Sequence, residues 1–153
     1  MKYLTALVTN PFVITSVSSW LIAQVLKTII HAIVNKSFDI TRLFGDGGMP
    51  SGHSATVTSL AAIVGLVRGL DTAEFAIACI LAIIVCHDAM GVRLETGKQA
   101  QVLKEIARSF ELLTSEKLPE VKLKEFVGHT PIQVGAGVLL GLVNGIAMYN
   151  ILF

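Results

Sequence analysis

The chain carries little charge. Only 15% of its 153 residues are Asp, Glu, Lys or Arg, and 53% are hydrophobic, whereas a soluble globular domain usually carries about 25% charged residues. The formal net charge is +1, so the chain lacks the overall positive field that attracts nucleic acid. The composition favours a lipid environment, and we expect no nucleic-acid partner.

Cysteine is scarce as well. Cys79 and Cys86 lie seven residues apart in one apolar run, about two turns along a helix, which is too far for a disulfide. Neither belongs to a metal-binding motif. We expect two reduced cysteines that behave as apolar side chains.

Long apolar segments dominate the chain instead. A bilayer core of about 30 Å is crossed by about 20 mostly apolar helical residues. Four segments approach that length: 11–34, 54–70, 72–90 and 131–153. They have too little polar surface for the rival architecture, a soluble helical bundle. The sequence predicts one all-α domain over 1–153, an integral-membrane helical bundle of about four transmembrane helices.

A polar stretch separates the third and fourth spans. Its apolar residues recur at helical spacing, which predicts an amphipathic helix over about 97–113. The apolar positions are Val102, Leu103, Ile106, Phe110 and Leu113. Such a helix can lie on the membrane surface, cover the polar ends of the spans, or pack on its own protein. The sequence leaves these alternatives open.

Four spans place the loops 35–53 and 91–130 on one side of the membrane. That side holds ten of the twelve Lys and Arg residues, and the other side holds only Lys2 and Arg68. Because positive loops stay in the cytoplasm, we expect an inner or plasma membrane protein with these loops on the cytoplasmic side.

Polar residues follow one face of the first span near its end. Gln24, Lys27, His31 and Asn35 recur at steps of three and four residues. Ionisable groups at such depth are costly unless they are paired or face a wet cavity. The alternative interpretation is that Lys27 snorkels to the interface.

The loop before the second span is rich in glycine. It reads Gly-Asp-Gly-Gly-Met-Pro-Ser-Gly-His-Ser over 45–54. Glycines let backbone N–H groups approach a ligand, and a helix start attracts anions. Ser51 adds a hydroxyl, and His53 can donate a proton near neutral pH. The alternative interpretation is a helix cap in which Ser51 or Ser54 merely satisfies the backbone.

A second histidine precedes the fourth span, in Gly128-His129-Thr130-Pro131. Pro131 suits the first turn of a helix. Alone, His129 would be read as a surface or capping residue, but the topology puts it on the same side as His53. The histidines, the cations and the glycine-rich loop predict a phosphate-handling site at one face of the bilayer.

These motifs resemble a known superfamily. Pro50-Ser51-Gly52-His53 matches the central signature of the type 2 phosphatidic acid phosphatases, whose superfamily includes the vanadium-dependent haloperoxidases. The order of further motifs is similar to the divergent membrane branch of that superfamily. The matching stretches are 23–27, 47–53, 88–93, 97–100 and 128–131, so the resemblance covers nearly the whole chain.

The resemblance implies phosphate removal through a phosphohistidine, without metal. It implies that His129 is the nucleophile and His53 the general acid, with Asp88 and Gln133 as orienting residues. The implied phosphate-binding residues are Lys27, Arg42, Ser51, Gly52, Arg93 and Lys98. No cofactor is expected, although vanadate or phosphate can occupy such a site.

The sequence departs from the superfamily pattern at three places. The pattern has Arg-Pro seven residues after its lysine, where Val34-Asn35 stand here, and Arg42 and Lys36 are the alternative substitutes. Its last motif has an arginine shortly before the histidine, whereas Arg93 lies far upstream. Its aspartate, four residues after the nucleophile, is Gln133 here.

Three functions follow as hypotheses. The first is a membrane-bound lipid-phosphate phosphatase that hydrolyses phosphomonoesters, with membrane lipid phosphate as its partner. The second is a non-catalytic phospholipid- or phosphate-binding membrane protein, which Gln133 favours. The third is a transport subunit lined by Gln24, Lys27 and His31, although neither a broken-helix pair nor an inverted repeat is evident.

Small residues recur along the fourth span at spacings that permit close helix approach. They are Gly135, Gly137, Gly141 and Gly145. The sequence leaves open whether they meet a helix of the same chain or of another subunit. A homodimer is therefore a further expectation.

Overall fold

Helices make up nearly all of the chain that the computed structural model describes, which is residues 1–36, 48–114 and 128–153. Strands are absent from these residues. The helices are α1 (Lys2–Val8), α2 (Pro11–Asn35), α3 (Gly52–Arg68), α4 (Ala73–Met90), α5 (Val92–Thr114) and α6 (Pro131–Leu152). The predicted all-α fold is confirmed, and the predicted spans fall on α2, α3, α4 and α6.

Local capping signals set the ends of the long helices. Asn10 precedes Pro11, and its side chain accepts hydrogen bonds from the first backbone N–H groups of α2. The helix ends at Lys36, whose left-handed conformation (φ 50°) is a common C-terminal stop. Side-chain oxygens cap the starts of α3, α4 and α6 in the same way as Asn10 caps α2. They belong to Ser51, Thr72 and Thr130.

Three helical stretches are long and apolar enough to cross a membrane: Pro11–Asn35, Ala73–Leu113 (which contains α4) and Pro131–Leu152. The remaining core helix, α3, has 17 residues, the short end of the range of about 17–25 that spans a bilayer. Large apolar side chains cover the outside of the bundle; Ile77, for example, is 69% exposed. A protein surface of this kind is stable in lipid.

Helix α3 lies at the centre and contacts α2, α4 and α6. Its closest approach is to α6, where a Cβ atom added at Gly137 would lie 2.5 Å from the carbonyl oxygen of Ser51. One added at Gly141 would lie 2.6 Å from that of Ala55. These glycines, together with Gly145, therefore allow α3 and α6 of the same chain to pack closely. Gly135 has no atom within 4 Å of its Cβ position, so it takes no part in this contact.

A buried asparagine joins α6 to α2. The Nδ2 atom of Asn144 lies 3.2 Å from Thr15 O, 3.0 Å from Ser18 Oγ and 2.8 Å from Ser19 Oγ. Polar groups inside a membrane bundle are stable when they are hydrogen-bonded to a neighbouring helix. This contact fixes the rotation of α6 relative to α2.

Helix α5 starts at Val92, earlier than the predicted residue 97, because only Gly91 separates it from α4. Among the described helices it contacts α4 alone. Its apolar side chains are more than half exposed at Val102, Leu103, Ile106 and Leu113. Near its start, Ala100 is buried, whereas the described helices leave these later apolar positions uncovered. The choice among the three alternatives stays a prediction.

Candidate functional site

Two histidine side chains meet at one end of the bundle. His53 lies in the first turn of α3, and His129 stands just before α6. Their ring centroids are 6.2 Å apart, and the ring planes are inclined by 59°. His129 is 4% exposed, whereas His53 is open to the surroundings. The two histidines that the sequence assigned to one membrane face are therefore direct neighbours.

The end of α4 holds the backbone of His129. The N–H group of His129 donates to the carbonyl oxygen of Ala89 at 2.9 Å. Gly128 precedes it with φ 96°, a conformation that favours glycine because a Cβ atom would clash with the backbone. This turn leads into α6 and holds His129 beside the end of α4.

Gln133 orients the ring of His129. Gln133 and Thr130 form a capping box: the Thr130 N–H group donates to Gln133 Oε1 at 3.1 Å, and the Gln133 N–H group donates to Thr130 Oγ1 at 3.4 Å. The Thr130 N–H group can donate only to an acceptor, so the Gln133 amide atom that it contacts is the oxygen. His129 Nδ1 lies 3.2 Å from this oxygen. Nδ1 must therefore carry hydrogen, which leaves the lone pair of the neutral ring on Nε2.

The Pro-Ser-Gly-His loop is hydrogen-bonded to the first turn of α6. The Ser51 N–H group donates to the carbonyl oxygen of Gln133 at 3.0 Å. The Ser51 side chain is fully buried, and its Oγ accepts hydrogen bonds from Ser54 N at 3.4 Å and from Ser54 Oγ at 3.0 Å. Ser51 thus caps α3, as the alternative interpretation had it. A contact between its hydroxyl and phosphate stays a prediction.

Gly52 lies close to the single tryptophan of the chain. A Cβ atom at Gly52 would be 3.3 Å from Trp20 Cδ1, so the indole of α2 packs against the backbone just before His53. The sequence reasoning missed this support. A lone tryptophan within an apolar span has no motif around it, so the sequence gives no signal for this contact. Only the packing of α2 against the start of α3 places its indole beside Gly52.

The side chain of Lys27 is buried, with 6% exposure. Its Cγ atom would lie 3.1 Å from a Cβ atom at Gly48, so the aliphatic part of Lys27 runs along the glycine-rich loop. Lys27 does not reach bulk water, as a snorkelling lysine would. It instead lines a cavity of about 190 Å³ together with His31, Asn35 and Gly48.

The remaining predicted residues are Asp88, Lys98, Arg42 and Arg93. Asp88 is half-buried in the last turn of α4, but the described contact of α4 with His129 is made by the Ala89 carbonyl. Lys98 is exposed, and its Nζ lies 2.6 Å from Glu95 Oε1. Arg42 and the side chain of Arg93 lie outside the described residues.

The arrangement has the parts needed for acid–base and nucleophilic chemistry on an anion. The starts of α3 and α6 meet at the histidine pair, and helix starts stabilise negative charge. Reacting atoms approach to about 3–3.5 Å, and catalytic hydrogen bonds span about 2.6–3.2 Å. Rings 6.2 Å apart can therefore contact one phosphoryl group. Within the described ranges, His, Cys, Asp and Glu form no group of three that could hold a metal ion.

Comparison with known proteins shows the family of the chain. The model of the Divergent PAP2 family matches residues 8–144. The uncharacterized membrane protein YuiD of Bacillus subtilis (strain 168) is 39% identical over 146 residues, which cover 90% of this chain and 92% of that protein. No solved structure matches significantly. With a membrane protein as relative and three apolar helices of spanning length, the chain is an integral membrane protein. It belongs to the divergent PAP2 family.

Proposed function

We propose that this protein is a membrane-bound phosphatase that hydrolyses the phosphomonoester of a lipid through a phosphohistidine on His129. One observation carries the proposal. Gln133 orients the ring of His129 through Nδ1, so that the lone pair of the neutral ring is on Nε2, and the ring of His53 lies 6.2 Å away at the start of a second helix. A nucleophile and a proton donor so placed can act on the two sides of one phosphorus atom.

The first half-reaction transfers the phosphoryl group to the protein. Nε2 of neutral His129 attacks phosphorus and forms a P–N bond while the P–O bond to the lipid alcohol breaks. His53, protonated at the start, gives its proton to the departing oxygen, so the alcohol leaves as a neutral molecule. Lys27 and the N–H groups at the start of α3 stabilise the phosphoryl charge.

The second half-reaction returns the protein to its starting state. Water attacks the phosphohistidine, the P–N bond breaks, and its electron pair returns to Nε2. His53, now neutral, accepts the proton that water loses. Inorganic phosphate leaves, and both histidines regain their original protonation.

An apolar cavity supports a lipid as the substrate. A cavity of about 480 Å³ opens between α3, α4 and α6, further along the helices that begin at the histidines. Its walls include Ala61, Gly65, Phe75 and Leu142, which offer contacts to hydrocarbon. We infer that the hydrocarbon chain of the substrate enters this cavity while its phosphate stays at the bundle end, on the cytoplasmic side by the charge of the loops.

A second candidate function has its own supporting observation. The residue that orients His129 is the neutral amide Gln133. The phosphorylated ring carries positive charge, which an amide stabilises less than a carboxylate does. A protein that binds lipid phosphate without efficient turnover is therefore the alternative.

The test separates these two functions. We would purify the full chain in detergent and measure phosphate release from a panel of lipid phosphates, with His129→Ala and His53→Ala as test variants. His87→Ala serves as the control, because His87 is an exposed histidine of α4. We expect release to fall at least about a hundredfold in both test variants and to persist in the control. Binding of lipid phosphate without release by the unaltered protein would favour the second candidate.

A further inference from the structure

A second polar surface faces the glycine-rich loop from α2. Lys27, His31 and Asn35 follow one another at intervals of four residues, so they lie on one face of the helix. They form one wall of the cavity of about 190 Å³, and Gly48 and Met49 form part of the other. Of these polar residues, Lys27 alone has a role in the reaction described above and in the implied site; His31 and Asn35 have none.

The imidazole of His31 has an unmet hydrogen bond. Its Nδ1 atom is buried and lacks a hydrogen-bond partner within the described part of the chain. About two turns deeper, outside the lining of the cavity, the Oε1 atom of Gln24 is buried and unsatisfied in the same sense. Buried polar atoms are normally hydrogen-bonded, so atoms of this kind beside a cavity indicate that it receives a polar ligand.

The wall opposite His31 belongs to the loop that leads to His53. Gly48 adopts φ 85°, and a Cβ atom there would lie 3.1 Å and 3.3 Å from Cγ and Cδ of Lys27. Residue 48 must therefore be glycine for the side chain of Lys27 to lie along the backbone there. The same short loop continues through Ser51 to His53. One backbone segment therefore lines the cavity and carries His53.

We propose that His31 is a further phosphate-binding residue, and that its imidazole and the ammonium group of Lys27 bind oxygens of one phosphate group. Ammonium and imidazole N–H donors suit phosphate oxygens because both form charge-assisted hydrogen bonds. Asn35 donates its Nδ2 hydrogen to the carbonyl oxygen of His31 at 3.0 Å, so this acceptor at the end of α2 already has a donor. The inference rests on the proposed function for its substrate, but it concerns binding alone.

Binding measurements test the inference independently of turnover. We would titrate the full chain in detergent with inorganic phosphate, and separately with phosphatidate in mixed micelles, using the matching diacylglycerol as a blank. His31→Phe keeps an aromatic ring but removes both nitrogens, and His31→Asn restores an amide nitrogen close to the Nδ1 position. His87→Phe makes the same change at an exposed histidine of α4.

Losing a hydrogen bond to a charged group weakens binding about tenfold or more. We expect His31→Phe to raise the dissociation constant for phosphate by at least that factor. His31→Asn should restore most of the lost affinity, and His87→Phe should leave the dissociation constant unchanged. A loss seen with phosphatidate but not with inorganic phosphate would identify the lipid headgroup as the ligand.

Failure of the inference and failure of the proposed function look different. If the protein binds phosphate in a His31-dependent manner but releases none from lipids, the inference holds and the phosphatase proposal fails. If lipids are hydrolysed while His31→Phe binds both inorganic phosphate and phosphatidate as tightly as His87→Phe does, the inference is overturned. Absence of binding to both phosphate forms in the unaltered protein would overturn it as well.

Discussion

Gln133 Oε1 lies 3.2 Å from His129 Nδ1, and the same oxygen accepts a hydrogen bond from the Thr130 N–H group. One amide oxygen therefore both caps α6 and determines which nitrogen of His129 carries hydrogen. The start of the helix and the orientation of the ring depend on the same side chain. Removing the acceptor at residue 133 is thus expected to alter both.

Replacing Gln133 by glutamate tests this dual role. Glu is the other residue that completes a capping box, so α6 should begin unchanged. A carboxylate should also stabilise the charged, phosphorylated ring, because charge-assisted hydrogen bonds are about twice as strong as neutral ones. We expect Gln133→Glu to raise kcat for phosphate release by about three- to tenfold. Gln133→Leu removes the acceptor and should lower kcat; equal rates in the two variants would contradict the orienting role.

The glycines of α6 allow a matched pair of stability measurements. A Cβ atom at Gly141 would lie 2.6 Å from the Ala55 carbonyl oxygen, whereas the Cβ position of Gly135 is open. We expect Gly141→Ala to destabilise the bundle by about 1–3 kcal/mol through overpacking. Gly135→Ala should be neutral or slightly stabilising, because Ala favours helix. Thermal unfolding in detergent measures both, and equal Tm values would contradict the close packing of α3 on α6.

The contact between Asn144 and α2 can be tested in the same way. Asn144 Nδ2 reaches three acceptors on α2, whereas Asn150 Nδ2 donates only to the carbonyl oxygen of Ile146 in its own exposed turn. We expect Asn144→Leu to cost about 1 kcal/mol of stability and Asn150→Leu to cost less. Unfolding of the two variants in parallel gives the comparison. A larger loss for Asn150→Leu would show that Asn144 does not hold α2 and α6 together.

Helix α5 is expected to lie in the membrane interface. It follows α4 after one residue, and its apolar face is not covered by the described helices. Fluorescent labels at Ile106→Cys and Arg108→Cys, in a background with Cys79 and Cys86 changed to alanine, report on opposite faces. In lipid nanodiscs, aqueous iodide should quench the label at 106 less than the label at 108. Equal quenching would place α5 in water.

The sequence determined the features that depend on neighbouring residues. Apolar length alone predicted the segments that became α2, α3, α4 and α6, because a bilayer demands a minimum helical run. Counting those segments placed His53 and His129 at one end of the bundle. The start of α5 was predicted too late because its apolar stripe begins only at Val102. The helix begins at Val92 since the Glu95 N–H group already bonds to the Gly91 carbonyl oxygen.

Tertiary structure alone decided which faces of the helices meet. Gly135 and Gly137 are two residues apart and alike in sequence, yet only Gly137 touches α3. Likewise, only the packing of α6 against α3 and α2 turned Asn144 toward α2 and brought the two imidazoles within 6.2 Å. Sequence periodicity predicts which residues share one face of a helix. The rotation and depth of each helix come from contacts between residues far apart in the chain, and these contacts form the site.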